Sequence, residues 1–483
     1  MITGFRLRCY PTTIQQGILL RWIGCQRFIY NSRVGEDRYF RAFARKALAL
    51  AGQRPPLDQQ YAQFHGPDTA WLREVPSPVL RNGAVLFIRA YSRFLQKLGG
   101  RPTLQTKTGP QSVWLTRELF AFQPMVDVAT GAIAGYRLFV GTKKFPLGEI
   151  AVVAHRTFVP PAAISLSVDA GRWHLSFAND DGVPEPDERD TAAWLEQFGE
   201  SELAARTVGL DRGVAIPLAT SSGQAFDFGP AQKARLAKKE QLARRWQRRL
   251  ARRTKGSANR RKAAQRVAAA TRYGADLRRE FAHQTSHALV AAPEHWLLVF
   301  EALGVQRMSK KPKPKQDANG RWLRNGARAK AGLNAGILRS AWARTQNFTQ
   351  YKARRAGKLA IAVPAQHSSQ ECAHCGHTHP DNRPDQATFV CQACGHQAQA
   401  DHNAARVIAR RGVQLIRSGD WQAKSKKRVL RMRSKETVGP ERSEPAVATP
   451  PTPVETRVRR SGGHAAAALR SSKQETPTST LQR

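Results

Sequence analysis

The stretch "FVCQACGHQAQADHNAARVIARRG", residues 389–412, carries two kinds of chemistry at once. Cys391 and Cys394 form a C-x-x-C turn followed by Gly395, and seven residues after Cys394 a single carboxylate, Asp401, opens a helix-like run. Upstream, Cys372 and Cys375 make the matching pair with Gly376, so the whole reads C-x2-C-x15-C-x2-C. Each such turn can aim both sulfurs at one ion, and two turns complete a tetrahedron. The spacing predicts a ribbon over 366–400 holding one structural Zn2+. With four thiols available, His374, His377 and His379 are expected at the surface. A zinc ribbon needs no aspartate. Asp401 therefore either caps the next helix or belongs to a second site beside the metal.

Two more carboxylates stand in comparable settings further back. Asp211 follows the apolar "VGL" and precedes Gly213, and Glu301 comes directly after "WLLVF" (296–300), a buried-strand pattern. "KLAIAV" (358–363) reads as another strand. Between these strands lie helical patterns. Leu277, Phe281, Ala288, Leu289 and Ala292 mark one amphipathic helix, broken at Pro293. Leu333, Ile337, Leu338, Trp342 and Phe348 mark the apolar side of another long one. Strands alternating with helices predict a mixed α/β domain. Taken singly, Asp211 reads equally as a turn residue and Glu301 as a solvated strand end. If the acids converge, their hard oxygens suit divalent cations, but spacing does not show convergence.

The front half has a different rhythm. "FRLRCY" (5–10) alternates as a strand and stops at Pro11, and Ile14, Ile18, Leu19, Trp22, Ile23 and Phe28 then recur at helical spacing. A second helix follows Pro76 and Pro78. From about 101 to 205 the period shifts toward two, and "AISLSVDAGRWHLSF" (163–177) reads as a hairpin turning at Asp169–Gly171. The expected organisation is a β-rich domain from 1–12 and 100–205, with a helical part at 13–99. An acidic stretch, "NDDGVPEPDERDTAAW", separates this lobe from the domain that begins near 206. The segment 420–483 is rich in Pro, Ser, Thr and charge without an apolar period, and is expected to be a disordered basic tail.

Charge narrows the partners. The chain has 483 residues with 78 Lys+Arg against 36 Asp+Glu, a net charge of +42, which a polyanion best neutralises. The most basic part, 233–272, includes Arg244, Arg245, Arg248, Arg249, Arg252, Arg253, Arg260 and Arg261, with Glu240 as the only acid. Lacking intrahelical acid partners, it is expected to touch RNA or DNA, and Arg6, Arg8 and Arg27 are further candidate contacts. Trp22, Phe28 and Tyr30 are expected mostly in the core. No run of about 18 apolar residues exists to span a bilayer, and "MITGFRLRCYPTT" has no apolar signal core. A soluble, cytoplasmic protein is expected, associated with the nucleoid when bound to DNA.

Over roughly residues 4–412 the chain resembles the TnpB-type RNA-guided endonucleases of bacterial insertion sequences, relatives of type V CRISPR effectors. "FRLRCYPTTIQQGILLRWIGCQRFIYN" is similar to their N-terminal signature, "VGLDRGVAIPLATSSG" to the first RuvC motif and "LVFEALGVQRM" to the second. The stretch from 389 to 412 is similar to the end of their zinc module and the third RuvC motif.

The resemblance implies an RNase H-like RuvC domain over 206–365, closed by a final helix at 401–419, with the ribbon inserted between. It implies that Asp211, Glu301 and Asp401 hold Mg2+, two ions about 4 Å apart, to hydrolyse DNA. The implied partners are a guide RNA from the transposon end and target double-stranded DNA, with base pairing supplying sequence choice. Arg212, a cation where the family often has an apolar residue, is expected to point outward along its strand. Two other readings use the same motifs: a non-cleaving RNA- and DNA-binding regulator, and a transposase that transfers strands.

Overall fold

The computed structural model describes residues 2–44, 59–126, 133–154 and 157–421. The tail expected over 420–483 therefore lies, beyond residue 421, outside the described residues. The described architecture is mixed α/β, built around two sheets.

The first sheet has seven strands, β1 (Ile2–Tyr10), β2 (Gln111–Thr116), β3 (Phe120–Val126), β4 (Ile133–Gly141), β5 (Pro146–Val153), β6 (Ala163–Asp169) and β7 (Arg172–Asp180). Its order is β2-β6-β7-β1-β5-β4-β3, and the pairings are antiparallel. The β6–β7 hairpin turns at Ala170 and Gly171, both with positive φ (47° and 76°), the geometry a two-residue connection needs to follow the strand twist. Helix α1 (Thr13–Tyr39), with Thr12 as its capping-box residue, crosses α2 (Ser77–Leu95) and packs on the sheet. Trp22 and Tyr30 are buried there, as their helical spacing predicts. Gln26 ties three elements together. Its Nε2 donates to the carbonyls of Val79 (3.2 Å) and Trp114 (2.9 Å), and its Oε1 accepts from the Trp114 N–H at 2.8 Å.

The second sheet has the order β10-β9-β8-β11-β14, formed by β8 (Thr207–Asp211), β9 (Leu218–Thr220), β10 (Ala225–Phe226), β11 (Leu297–Glu301) and β14 (Leu359–Val363). Strands β8, β11 and β14 run parallel, as their continuous apolar sequence suggests, and β9 and β10 return antiparallel. Helices cover both faces. On one, α3 (Glu188–Glu196), α4 (Glu200–Ala205) and α9 (Ala400–Arg417) bury Leu195, Leu203 and Ile408 with Leu297, Val299, Leu359 and Ile361. On the other, α6 (Ala258–Ala291) and α8 (Trp342–Arg355) bury Leu289 and Ala353 with Val208, Leu210, Leu298 and Phe300. The segment 188–205, grouped above with the β-rich front, thus packs with the second core. Period-two reading carries no information about which sheet a following helix joins.

The basic stretch forms α5 (Pro230–Ala251) and the first half of α6, two helices packed on each other. α6 continues without a break through Leu277 and Phe281 to Ala291. The long helix expected around 333–348 is instead two: α7 (Ala327–Arg339) and α8, separated by Ala341 in the left-handed region (φ 57°). That break rotates the apolar stripe. Ile337 and Trp342 are buried while Leu333 and Leu338 are exposed. A small hairpin, β12 (Lys315–Gln316) and β13 (Trp322–Leu323), precedes α7, and β15 (Thr388–Val390) pairs with β16 (Gln397–Gln399) in the cysteine-bearing module. The acidic linker docks on α8, with Arg354 paired to Glu185 (2.9 Å) and Glu188 (2.7 Å) and Arg355 to Asp181 (2.6 Å).

Two glycines let α9 seat on the sheet. A Cβ at Gly209 would lie 1.9 Å from the Ala405 carbonyl oxygen, and one at Gly412 would lie 2.3 Å from Val299 Cγ2. Gly209→Ala sets backbone against backbone, so it is expected to cost about 3 kcal/mol or more, read as a lower urea midpoint. Gly17→Ala, on an exposed face of α1 with nothing within 4 Å, is expected to be neutral or to stabilise by up to about 1 kcal/mol.

Candidate active site

β8 and β11 are paired in register from Thr207↔Leu297 to Leu210↔Phe300. Asp211 and Glu301 follow one residue later, at the C-terminal ends of adjacent parallel strands. Side chains alternate along a strand, so Asp211 shares a face with Gly209, and Glu301 with Val299. Those are the residues that meet α9. α9 begins at Ala400 and carries Asp401 in its first turn. Two strand ends and one helix start therefore bring together acids separated by as many as 190 positions (401 − 211).

The electrostatics agree with that closeness. Asp211 is pushed up to about 7, first by burial and then by the charges of Glu301 and Asp401. Burial also raises Glu301, against the opposing influences of Ser368, Arg212 and Arg411. The reading of Glu301 as a solvated strand-end acid fails: its exposure is 6%, and the Ser368 hydroxyl donates to its Oε1. Asp401 is not the helix cap. Gln399 is, its side-chain oxygen accepting from the His402 N–H at 2.8 Å. Asp401 instead faces Arg383 Nη2 at 3.5 Å, with its side chain 16% exposed.

Arg212 departs from expectation. Alternation does turn it to the face opposite the acids, but that face is covered by α8 and the side chain is buried at 4% exposure. Its guanidinium donates to the Glu301 carbonyl and to Gln346 Oε1 (2.8 Å), and lies 5.6 Å from the Phe300 ring centroid. Burial lowers it to about 10, with Glu301 and Asp211 acting in the other direction. Ser368 and Arg383 went unread in the sequence because both lie in the inserted module, where no periodicity links them to β11 or α9.

The four cysteines form a compact group, with ligand atoms all within 4.8 Å of one another. Among the described residues no other set of three or more His, Cys, Asp or Glu is gathered so tightly; the three carboxylates are more open. Cys372 and Cys394 sulfurs are 3.8 Å apart, and Cys375 and Cys391 3.6 Å. A tetrahedron with ~2.3 Å zinc–sulfur bonds has edges of about 3.8 Å, so the thiols fit that ion. Cys391 is pulled down to about 6, first by the backbone N–H of Cys394. The module is bolted to α9. Asn403, fully buried, accepts from the Ala373 N–H (2.9 Å) and donates to the Glu371 carbonyl (2.7 Å). The Glu371 carboxylate accepts from both Arg410 and Arg411.

The expected nucleic-acid contacts divide in two. Arg244, Arg245, Arg248, Arg249, Arg252, Arg253 and Arg261 are exposed along the α5–α6 pair, while Arg260 is half-buried and donates to the carbonyls of Leu250 (2.8 Å) and Arg253 (2.9 Å), closing the end of α5. Arg6, Arg8 and Arg27 are held by the sheet, at His174 (3.4 Å), the Trp173 carbonyl (3.3 Å) and Gln111 (2.7 Å). Among the described residues no helix is long and apolar enough to cross a membrane.

Three family models match in order: "Helix-turn-helix domain" over 1–34, "Probable transposase" over 196–311 and "Cas12f1-like, TNB domain" over 342–408. Residues 2–34 here form β1 and most of α1. The chain is 27% identical over 437 residues to "Putative RNA-guided DNA endonuclease InsQ" of Escherichia coli (strain K12), covering 87% of this chain and 94% of that one. It is 51% identical over 59 residues to the CRISPR-associated endodeoxyribonuclease Cas12f1 of Sulfoacidibacillus thermotolerans, 12% of this chain and 14% of that one. A cryo-EM structure of a Cas12f1–sgRNA–target DNA complex superposes with a TM-score of 0.45 at 13% identity, covering 85% of this chain and 98% of that one. The likeness to TnpB-type proteins read from the motifs is borne out along the length of the chain.

Proposed function

We propose that this TnpB-type chain is an RNA-guided, metal-dependent DNA endonuclease encoded by an insertion sequence, with one RuvC-type site formed by Asp211, Glu301 and Asp401. The observation that carries the reading is the convergence of three acids at the ends of β8 and β11 and the start of α9, inside a chain of net charge +42. Such a cluster repels itself, and hard divalent cations relieve that repulsion. Magnesium bound there would activate water and stabilise the leaving oxygen of a phosphodiester.

The remaining work falls to the protein. Ser368 fixes the Glu301 carboxylate through Oε1. Arg212 holds the backbone at that residue through the carbonyl. Arg383 places a cation beside Asp401, where it balances the acids before metal and can meet a phosphate afterward. The four thiolates would hold one Zn2+ as a structural ion, keeping Ser368 and Arg383 in place from the inserted side. The exposed arginines of α5 and α6 offer a surface for the backbone of a guide RNA or of the RNA–DNA heteroduplex, leaving sequence choice to base pairing.

The test is to purify the protein from cells, sequence the RNA that accompanies it, and supply DNA complementary to that RNA. A discrete transcript reaching the 3′ end of the gene, and Mg2+-dependent cuts that move when the RNA is changed, are the expected results. Bulk cellular RNA and no cutting would leave the binding-regulator reading in its place. Joined transposon ends rather than free 5′-phosphates would favour strand transfer.

A further inference from the structure

The segment 310–330, "KKPKPKQDANGRWLRNGARAK", leaves Glu301 by way of a short helical turn, Val305–Met308, and projects as the β12–β13 hairpin. It holds eight cations, Lys310, Lys311, Lys313, Lys315, Arg321, Arg324, Arg328 and Lys330, and one acid, Asp317. That acid is spent inside the turn. Its Oδ1 accepts from the backbone N–H groups of Asn319 (2.9 Å) and Arg321 (2.8 Å). Among the described residues none of the eight cations has a carboxylate partner. At the outer strand stands Trp322, 70% exposed, beside Leu323 at 50%.

A large ring left this open to water is costly, and nothing among the described residues covers it. A cationic strip with a projecting ring matches one chemistry well: an anionic backbone whose bases are free to stack. A duplex keeps its base faces covered, so it would use the cations and leave the ring idle.

The mounting indicates which strand is met. Asn334 of α7 donates to the carbonyls of Ser309 (2.9 Å) and Lys310 (3.4 Å), and Asn325 to that of Lys313 (2.9 Å), so the base of the hairpin is pinned to α7. A Cβ on Gly336 of α7 would lie 2.7 Å from Val214, three residues past Asp211. At the start of α8, Trp342 Nε1 donates to the Gly213 carbonyl (2.9 Å). The hairpin is therefore carried by elements that grip the chain two and three residues past Asp211 and eight and nine residues past Glu301.

We infer that the 310–330 hairpin is a binding platform for single-stranded DNA, with Trp322 stacking on an unpaired base and the surrounding lysines and arginines holding its phosphates. The inference rests on the nuclease reading for the identity of the strand, as DNA being led toward the acids rather than guide RNA.

The test uses the full chain with its accompanying RNA, in an Asp211→Asn background, and a fluorescently labelled oligodeoxythymidylate as probe. Trp322→Ala is expected to weaken binding by about tenfold, the usual scale for one base–aromatic stack, with melting temperature unchanged because the ring touches no core. Trp322→Phe is expected to restore binding to within threefold. Lys311→Gln combined with Arg324→Gln is expected to flatten the salt dependence of binding. A loss below threefold for Trp322→Ala, or a Phe variant as weak as the Ala one, overturns the stacking role. A drop in accompanying RNA with unchanged oligonucleotide affinity overturns the assignment to DNA. Failure of the unmutated protein to cut any DNA would instead refute the nuclease reading, and the oligonucleotide binding would still report on the platform.

Discussion

Asp211→Asn is expected to abolish Mg2+-supported cutting, by on the order of 10³-fold or more, while making the metal-free protein harder to unfold. Both effects have one origin. In the folded chain Asp211 is pushed up to about 7, by burial first and by Glu301 and Asp401 next. A carboxyl raised in this way holds its proton more tightly when folded than when unfolded. Its contribution to stability is complete below about 4, where an unfolded aspartate is also protonated, and is lost as pH climbs through about 7. The neutral amide escapes that loss. The gain from Asp211→Asn should therefore be absent near pH 4 and reach a few kcal/mol above pH 7.5, read from urea midpoints in the presence of chelator. Cutting within tenfold of the unmutated protein would remove Asp211 from the site. A variant that is inactive but no more stable would mean the acids are not crowded as described.

Stripping zinc, or replacing Cys391 by Ser, is expected to lower cutting by at least about 100-fold while leaving RNA association largely intact. Zinc binding contributes roughly 10–16 kcal/mol to the folding of comparable modules, so the ribbon would not hold without it. The damage reaches the acids because the module is built into their surroundings. Glu371, next to Cys372, holds Arg410 and Arg411, and Asn403 is buried against Glu371 and Ala373. Ser368 and Arg383, the partners of Glu301 and Asp401, come from the same insertion. After removal of all metals by chelation, Mg2+ alone is expected to restore nothing, and Mg2+ with Zn2+ to restore cutting. Full recovery with Mg2+ alone in a zinc-free sample would show that the ribbon is dispensable for the chemistry. The α1–α2 lobe and the α5–α6 pair share no core cluster with the thiols, which is why RNA association should survive.

Local chemistry was readable in the sequence where it repeats over short distances. The C-x-x-C pairs, the hairpin at 163–177 and the apolar runs that became β8, β11 and β14 each carry their signal within a few residues. Three acids at the edges of those runs were visible one at a time, and the motif resemblance grouped them. What stayed hidden was set by packing between distant parts. Arg212 is buried because α8 covers its face, and α8 lies more than 100 positions further on. The stripe through Leu333 and Leu338 broke because Ala341 turns left-handed, and alanine gives no warning of that. Gln399 took the capping role that was one of the two readings of Asp401, a choice made by where β16 ends and α9 begins.

On the proposed assignment, the last acid to join the sheet belongs to the last described helix, α9. Translation delivers a chain from its N-terminus, and domains fold as they emerge. A nascent polypeptide that has not passed residue 401 can fold the β1–β7 lobe and still lack a third carboxylate. On that assignment, a chain that ends before α9 would lack a complete set of acids and would not cut.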